Sequence, residues 1–270
     1  MIFNTKNNNT NTDTNDRPKS VEEITAQQVE EGLEEYNRSN RGLFLSAFTA
    51  GMDLGFSLLI MAILYTMFAP KISPELMRVL LALAYPIGFI FVVLGRSALF
   101  TEHTTLAVFP VLDGKQPVSR LARNWGIIYG GNLIGGYIIG LMIAWIGPQH
   151  GIISVHALEE IALHLIKGNG FVILGSGLLA GWLMGLLSWL VTSSQETISR
   201  IFIVFLITSA IGIGSLHHCI VGSTEMFVGV LVSDKITIMD YLSTQFWATL
   251  GNIIGGVFFV SILKFQVTKH

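Results

Sequence analysis

The sequence predicts an all-α integral membrane protein: six transmembrane helices in an inverted 3+3 repeat, the second and fifth broken inside the bilayer. Three observations carry this expectation. Of the 270 residues, 51% are hydrophobic and 13% charged, with a mean hydropathy of +0.60, whereas a soluble domain carries about 25% charged residues. Of the 34 charged residues, 13 lie in the first 42 positions, so the remainder of the chain cannot clothe itself in polar surface. Six apolar runs also approach the roughly 20 residues that a spanning helix needs.

Met1 to Asp16 is rich in Asn and Thr and has no apolar core. It reads as disordered and not as a cleavable leader. Ser20-Val-Glu-Glu23 fits a capping box, opening an acidic helix to about Tyr36 with Gly32 as its weak point. That helix reads as solvated and cytosolic, or else as a docking element for a partner. The spans run from about Leu43 to Phe68, Val79 to Leu94, Trp125 to Gly147, Phe171 to Val191, Ile201 to Gly214 and Phe246 to Leu263. Leu106–Leu112 and Met226–Val232 are too short to cross alone, and each follows a full run after a polar interruption, Arg96–Thr105 or Ser215–Glu225. The expected organisation is a cytosolic tail over 1–42, a pore domain over 43–265 and a cytosolic tail over 266–270. Arg38, Arg41, Lys115, Arg120, Arg123, Arg200, Lys264 and Lys269 fall on one side, against Lys71, Arg78, Lys167 and Lys235 on the other. The positive-inside rule therefore puts both termini in the cytosol.

A net charge of −2 offers no basic stripe for nucleic acid. The single cysteine, Cys219, excludes a disulfide framework and multi-cysteine metal sites. His217-His218-Cys219 has no metal-ligand spacing, since neighbours on a helix point about 100° apart. No nucleophile elbow, Walker loop or zinc-protease helix is present, so neither an enzyme activity nor a cofactor is expected.

The halves repeat. Ala50-Gly51-x-x-x-Gly55 matches Ala180-Gly181-x-x-x-Gly185, Thr101-Glu102 matches Thr224-Glu225, and Gly131-Asn132-Leu-Ile-Gly135-Gly136 matches Gly251-Asn252-Ile-Ile-Gly255-Gly256. Three spans per copy is an odd number, so the second copy enters from the opposite side, and broken helices in such repeats point to the permeation site. Spaced glycines also let membrane helices approach closely. Asn132 and Asn252 suit backbone groups near the breaks, with a pore-side bond open for Asn252. Ionisable residues at bilayer depth mark cavities or pathways; here they are Asp53, Arg96, Glu102, His103, His217, His218 and Glu225. Asp53 and Arg96 suit an ion pair between helices. Glu102 and Glu225 suit caps on the positive ends of two half-helices, or the pathway itself. A mid-membrane histidine suits either a titratable pathway group or a structural hydrogen bond, and periodicity does not choose between His217 and His218.

At these residues the chain resembles the formate/nitrite transporter family over about Leu43 to Leu263. Leu99-Phe100-Thr101 matches the family's L-F-T loop, Leu250-Gly251-Asn252 its L-G-N, and Gly-Leu-Leu-Ala-Gly181-Trp182-Leu its fourth-helix pattern. The interval from Arg200 to His218 assigns the family histidine to His218. Lys167 lies within two residues of the family's extracytoplasmic lysine. The family's H-S-x-A-N reads His218-Cys219-Ile-Val221-Gly222, the acid before L-F-T is Ala98, and the fourth-helix Asn is Gly181. Arg96-x-x-Leu-Phe-Thr-Glu-x-Thr and His218-x-x-Val-Gly-Ser-x-Glu225 look like the divergent YfdC-like branch. The resemblance implies an aquaporin-like protomer, a homo-pentamer in the inner (plasma) membrane with one pore per protomer, and passage of small monovalent weak-acid anions with a proton. It implies Lys167 as an anion attractor, His218 as proton relay or hydrogen-bonder, and Leu99 and Phe100 as part of an apolar gate. Competing expectations are a pore for a neutral or cationic solute and a transport-silent scaffold.

Overall fold

A computed structural model describes residues 17–268, among which there is no strand. The disorder expected for Met1–Asp16 lies outside the described residues. Helix α1 (Val21–Asn37) precedes α2 (Asn40–Phe68); α3 (Pro74–Ala84) and α4 (Pro86–Leu94) form one rod jointed at Tyr85, and α5 (Phe100–Leu106) and α6 (Phe109–Leu112) follow. Then come α7 (Val118–Gln149), α8 (Val155–Leu165), α9 (Gly170–Ser193), α10 (Thr197–Ile213) and α11 (Val221–Val232). The chain closes with α12 (Ile238–Gly256), a π-helical segment (Val257–Ile262) and α13 (Leu263–Val267).

Among the described residues, five stretches are long and apolar enough to cross a bilayer: Asn40–Phe68, Pro74–Leu94, Val118–Gln149, Gly170–Ser193 and Ile238–Val267. Helix α10 is apolar but shorter, at 17 residues. The helices outrun the hydropathic runs because polar caps start them early. Ser39 accepts the Gly42 N–H at the start of α2, Asn169 the Val172 N–H at α9, and Thr237 with Asp240 forms a capping box on α12.

Two helix pairs form the frame, α2 against α7 and α9 against α12. Their backbones touch: a Cβ on Gly51 would strike the Asn132 carbonyl, and one on Gly181 the Asn252 carbonyl. This is the small-residue packing that membrane helices use in place of a hydrophobic drive. Helix α8 was not among the expected elements. Its Ser154 cap and its buried stripe Ala157, Leu158, Ile161, Ala162 and Leu165 seat it against α11.

Helix α1 corrects the expectation of a solvated helix. The Ser20–Glu23 capping box forms as expected. Ile24 and Val29, however, are buried in a cluster with Phe109, Trp189, Val260 and Phe265. A helix end leaves its last carbonyls unpaired, and Lys19, just before α1, donates its Nζ to one of those of α9, Thr192 O (2.6 Å), while Gln28 Nε2 of α1 reaches Ser188 O further up the helix (3.3 Å). The Tyr36 hydroxyl donates to Ala107 O at 2.8 Å. Gly32 is a contact point, not a weak point, since a Cβ there would lie 2.6 Å from Leu106 O and 2.8 Å from Pro110 Cγ. Glu35 Oε2 lies 3.7 Å from His103 Nε2. Burial opposes the Glu35 charge, but the His103 ring and then Arg38 hold its carboxyl below the ordinary value.

Two outcomes follow from this packing. Gly51→Ala lowers the detergent melting temperature by an amount equivalent to about 1–3 kcal/mol of overpacking, whereas Gly126→Ala, with open space around the new methyl, leaves it unchanged or raised. Equal melting of the two variants would contradict the close-packed frame. Because Glu35 has a depressed carboxyl, its contribution to α1 docking is complete above its ordinary value of 4.5 and disappears as the pH falls below it. Hydrogen exchange across α1 between pH 3 and 7 should show protection dropping at the acid end in the native protein, and lower protection without that acid-end drop in Glu35→Gln; flat protection in the native protein would refute the contact.

Candidate functional site

Backbone N–H and C=O groups inside a bilayer need internal partners, so each helix break requires dedicated side chains. The first break joins α4 to α5 through Arg96 (φ 52°), the second α10 to α11 through Ser215 (φ 51°). A left-handed residue carrying a Cβ costs about 1–2 kcal/mol, which the surrounding bonds offset. Ser46 Oγ accepts the Ala98 N–H and Ser176 Oγ the His217 N–H, both at 3.0 Å. Asn132 Oδ1 accepts the Phe100 N–H (2.8 Å), while its Nδ2 donates to Ala47 O (2.7 Å) and Ala98 O (2.9 Å). Asn252 repeats this with the Cys219 N–H (2.9 Å), Gly177 O (2.8 Å) and His217 O (2.8 Å). Asn252 is fully buried and spent on backbone, the first of its two expected roles.

These bonds reset the register of the repeat. Phe100 stands where Cys219 stands, and Thr104 and Thr224 lie against Gly256 and Gly136 respectively. Thr101-Glu102 and Thr224-Glu225 are therefore not equivalent, contrary to the motif match. Neither glutamate caps a helix: α5 and α11 have no side-chain cap at their N-cap residue. Glu102 lies in the first turn of α5 toward Glu31 and Glu35 of α1, whereas Glu225 sits a turn deeper into α11. No ion pair joins Asp53 to Arg96, which is exposed. Ser46 and Ser176 went unnoticed in the sequence, although each stands four residues before its Ala-Gly pair.

The adjacent histidines part at the second break. His217 is a strut: its Nε2 donates to Leu165 O (2.9 Å) and its Nδ1 accepts from the Ser176 hydroxyl (2.8 Å), tying α8 and α9 to the break. His218 is fully buried at the junction of the two half-helices. The Val221 N–H donates to its Nδ1 (3.3 Å), so the ring is neutral with its hydrogen on Nε2, which donates to Thr101 Oγ1 at 2.8 Å. The Phe89 edge packs against the ring at 5.1 Å. Leu99 and Phe100 are buried beside Thr101, with Phe100 edge-to-face on Tyr129 (4.9 Å) and Trp125 (6.0 Å).

On the side away from α1, a cavity of about 550 Å³ runs from Arg78 and Lys167 inward to His218, Gly222 and Glu225. Lys167, His218 and Glu225 thus line one space; Leu99, Phe100, Thr101, Glu102, His217 and Asn252 do not. Neither Arg78 nor Lys167 is in an ion pair among the described residues. Burial, then the charges on Lys167, His217 and Arg78, push the His164 ring in this cavity below its ordinary value. Arg78 and Lys167 are the arginine and lysine side chains of the cavity lining, which also carries Glu75 and Glu160.

Removing Asn252 would orphan one buried N–H and two carbonyls. Asn252→Ala should lose about 1–3 kcal/mol of stability per unsatisfied group, seen as a lowered melting temperature, and Asn252→Leu should do no better. A melting temperature equal to that of the unmodified protein would refute the bracing role.

The family described as formate/nitrite transporter matches residues 22–266. The chain is 28% identical to "Inner membrane protein YfdC" of Escherichia coli (strain K12) over 238 residues, covering 87% of this chain and 74% of that one. It is 24% identical to "Nitrite transporter NirC" of Salmonella typhimurium over 226 residues (82% and 81% covered). It is also 24% identical to "Formate channel FocA" of Haemophilus influenzae over 256 residues (86% and 89% covered). The solved "FNT family ion channel" superposes with a TM-score of 0.79 at 20% identity, covering 92% of this chain and 98% of that one. "Pentameric formate channel with formate bound" superposes at 0.73 and 20% identity, covering 86% and 98%. This all-helical integral membrane chain, with its paired breaks braced by Asn132 and Asn252, belongs to the formate/nitrite transporter family.

Proposed function

We propose that the chain carries small monovalent anions of weak acids, of the formate or nitrite type, across the inner (plasma) membrane with a proton, through one pore per protomer of a homo-pentamer. The observation that carries this reading is the buried His218–Thr101 pair, which joins the two broken helices directly behind the cavity. The names of the relatives, two of them nitrite or formate carriers, and the pentameric neighbour support the substrate class and the assembly.

The architecture proposed for this task is six spans: α2, α3–α4 with α5, and α7 as one copy, then α9, α10 with α11, and α12–α13 as the inverted second copy. Recurrence of the serine and asparagine bonds supports it. Both termini are cytosolic, in line with the distribution of Lys and Arg. The tail over 1–42 with α1 and the short tail over 266–270 then flank a pore over 43–265, and α1 covers its cytosolic side.

The mechanism follows from the cost of moving charge through a dry passage. Arg78 and Lys167 attract an anion into the cavity. Beyond it stand Phe89, Leu99 and Phe100, an apolar passage that a neutral acid crosses far more readily than its anion. His218, with Thr101, hydrogen-bonds the acid or relays its proton where the two broken helices meet. No bond of the cargo other than O–H is made or broken, so the chain needs neither a cofactor nor an enzymatic step.

Initial formate and nitrite uptake by proteoliposomes from pH 5 to 8 tests the central pair. His218→Phe should abolish acid-stimulated uptake while the oligomer still assembles, because the new ring keeps the volume and loses both nitrogens. His217→Phe should instead lower stability, having lost the Ser176 and Leu165 bonds. Undiminished pH-dependent flux in His218→Phe would end the assignment.

A further inference from the structure

We propose that Glu225 is the proton donor of the outer half-channel, giving its proton to a weak-acid anion in the cavity before the cargo reaches the His218–Thr101 pair. This rests on the anion reading above and adds the group that delivers the proton.

Glu225 is 6% exposed, and that remnant opens into the cavity. No hydrogen bond or ion pair engages its carboxyl among the described residues, although the neighbouring polar side chains of α11 are all engaged. Thr224 donates to Ile220 O, and Ser223 bonds the Tyr241 hydroxyl at 2.8 Å. A buried carboxylate with no donor aimed at it is an uncompensated charge, so an unpartnered carboxyl here is placed to hold a proton and release it to a visitor. His218 is less free, since its Nδ1 accepts from Val221 and its Nε2–H is directed at Thr101.

Space for the cargo lies beside the carboxyl. Gly222 is one turn before Glu225 and faces the same cavity, and a Cβ there would touch only Leu165 Cδ1, at 3.6 Å. An oxyanion lying over Gly222 is within reach of the carboxyl. The charged and titratable groups facing this space are Glu75, Arg78 and Tyr85 from the α3–α4 rod, Tyr65 from α2, and Glu160 and His164 from α8, with Lys167 beyond it. On the remaining side of α11, the hydroxyls of Tyr137 and Tyr241 bond to one another and not to Glu225. The two lysine and arginine cations lie toward the mouth and the carboxyl at the floor, so an anion is first attracted and then neutralised.

The transfer balances without another reactant. The Glu225 O–H bond breaks, an O–H bond forms on the anion's oxygen, and the neutral acid moves on to His218. The carboxylate left behind takes a proton back through the cavity from the outer solution. One proton crosses with each anion.

The test uses the full-length protein in proteoliposomes, with formate and nitrite as probes and external pH from 5 to 8. Glu225→Gln keeps the shape and carries no transferable acid proton. It should cut acid-stimulated uptake roughly tenfold or more, in line with what a positioned proton donor contributes, and flatten the pH profile. Glu225→Asp should keep a pH-dependent rate below that of the unmodified protein; it also serves if the Gln variant fails to assemble, in which case an Asp variant with a flat profile overturns the proposal. Unchanged uptake and pH profile in Glu225→Gln would overturn this inference and leave the anion reading intact. Faster uptake at neutral pH in that variant would show Glu225 to be a repelling charge, and would also overturn it. Absence of formate and nitrite flux in the unmodified protein would remove the anion reading, and this inference with it.

Discussion

In an apolar medium a helix cannot be interrupted cheaply, because every N–H and C=O freed by the interruption needs a partner. Two interruptions exist here, and most of the tertiary arrangement follows from bracing them. Asn132 and Asn252 each hold three backbone groups, but only because α7 and α12 come close enough for an amide to span a break and a neighbouring helix together. That approach depends on Gly51 and Gly181, whose missing side chains let the asparagine carbonyls press against α2 and α9. The serines at 46 and 176 complete the set from those same two helices. Bracing, close packing and the meeting of the half-helices at Thr101 and His218 are one linked arrangement.

The site shows how neighbouring residues of one type come to do different work. Outside a regular helix, His217 and His218 are free to point apart: one ring is locked between Leu165 and Ser176, the other stands at the junction with Thr101. Polar groups along the cavity are likewise graded in freedom. Among the described residues Arg78 and Lys167 at its mouth have no ion-pair partner, Glu225 at its floor is unpaired and buried, and His218 beyond is neutral and bonded on both nitrogens. A cargo moving inward meets charge first and hydrogen bonds last.

Much of this was legible in the sequence, for definite reasons. The apolar runs and small-residue spacing reported the frame, because membrane helices signal themselves by composition and their contacts by glycine. The asparagines and the polar interruptions between Arg96 and Thr105 and between Ser215 and Glu225 reported the breaks. What stayed hidden depends on three-dimensional register. Motif matching aligned Thr101-Glu102 with Thr224-Glu225 because the residue types agree, yet the backbone bonds align Phe100 with Cys219. Acidic composition made α1 read as solvated, while its thin stripe of Ile24, Gln28, Val29, Gly32 and Tyr36 was enough to seat it on the chain's own surface. Helix α8 escaped for the opposite reason, being too short for a span and flanked by loop residues.

The π-helical segment after α12 has a consequence for how the two halves stay matched. Up to Gly136 and Gly256 the partners correspond residue for residue, each glycine facing a threonine of the opposite break. Beyond that point Gly55 faces Ile139, but Gly185 faces Val260, where strict correspondence would have put Phe259. A π turn takes in one residue more than an α turn, and Val257–Ile262 is where the second half holds its surplus residue. The Thr105 and Ser261 hydroxyls both donate to Gly256 O, a carbonyl at the entry to this wider turn. The extra residue is thus absorbed locally as a bulge, Phe259 is turned out to stack on Trp182, and the packing upstream keeps its phase. A one-residue deletion inside Val257–Ile262 is in these terms a conservative change, whereas the same deletion inside α7, which has no such slack, would rotate every later side chain by about 100°.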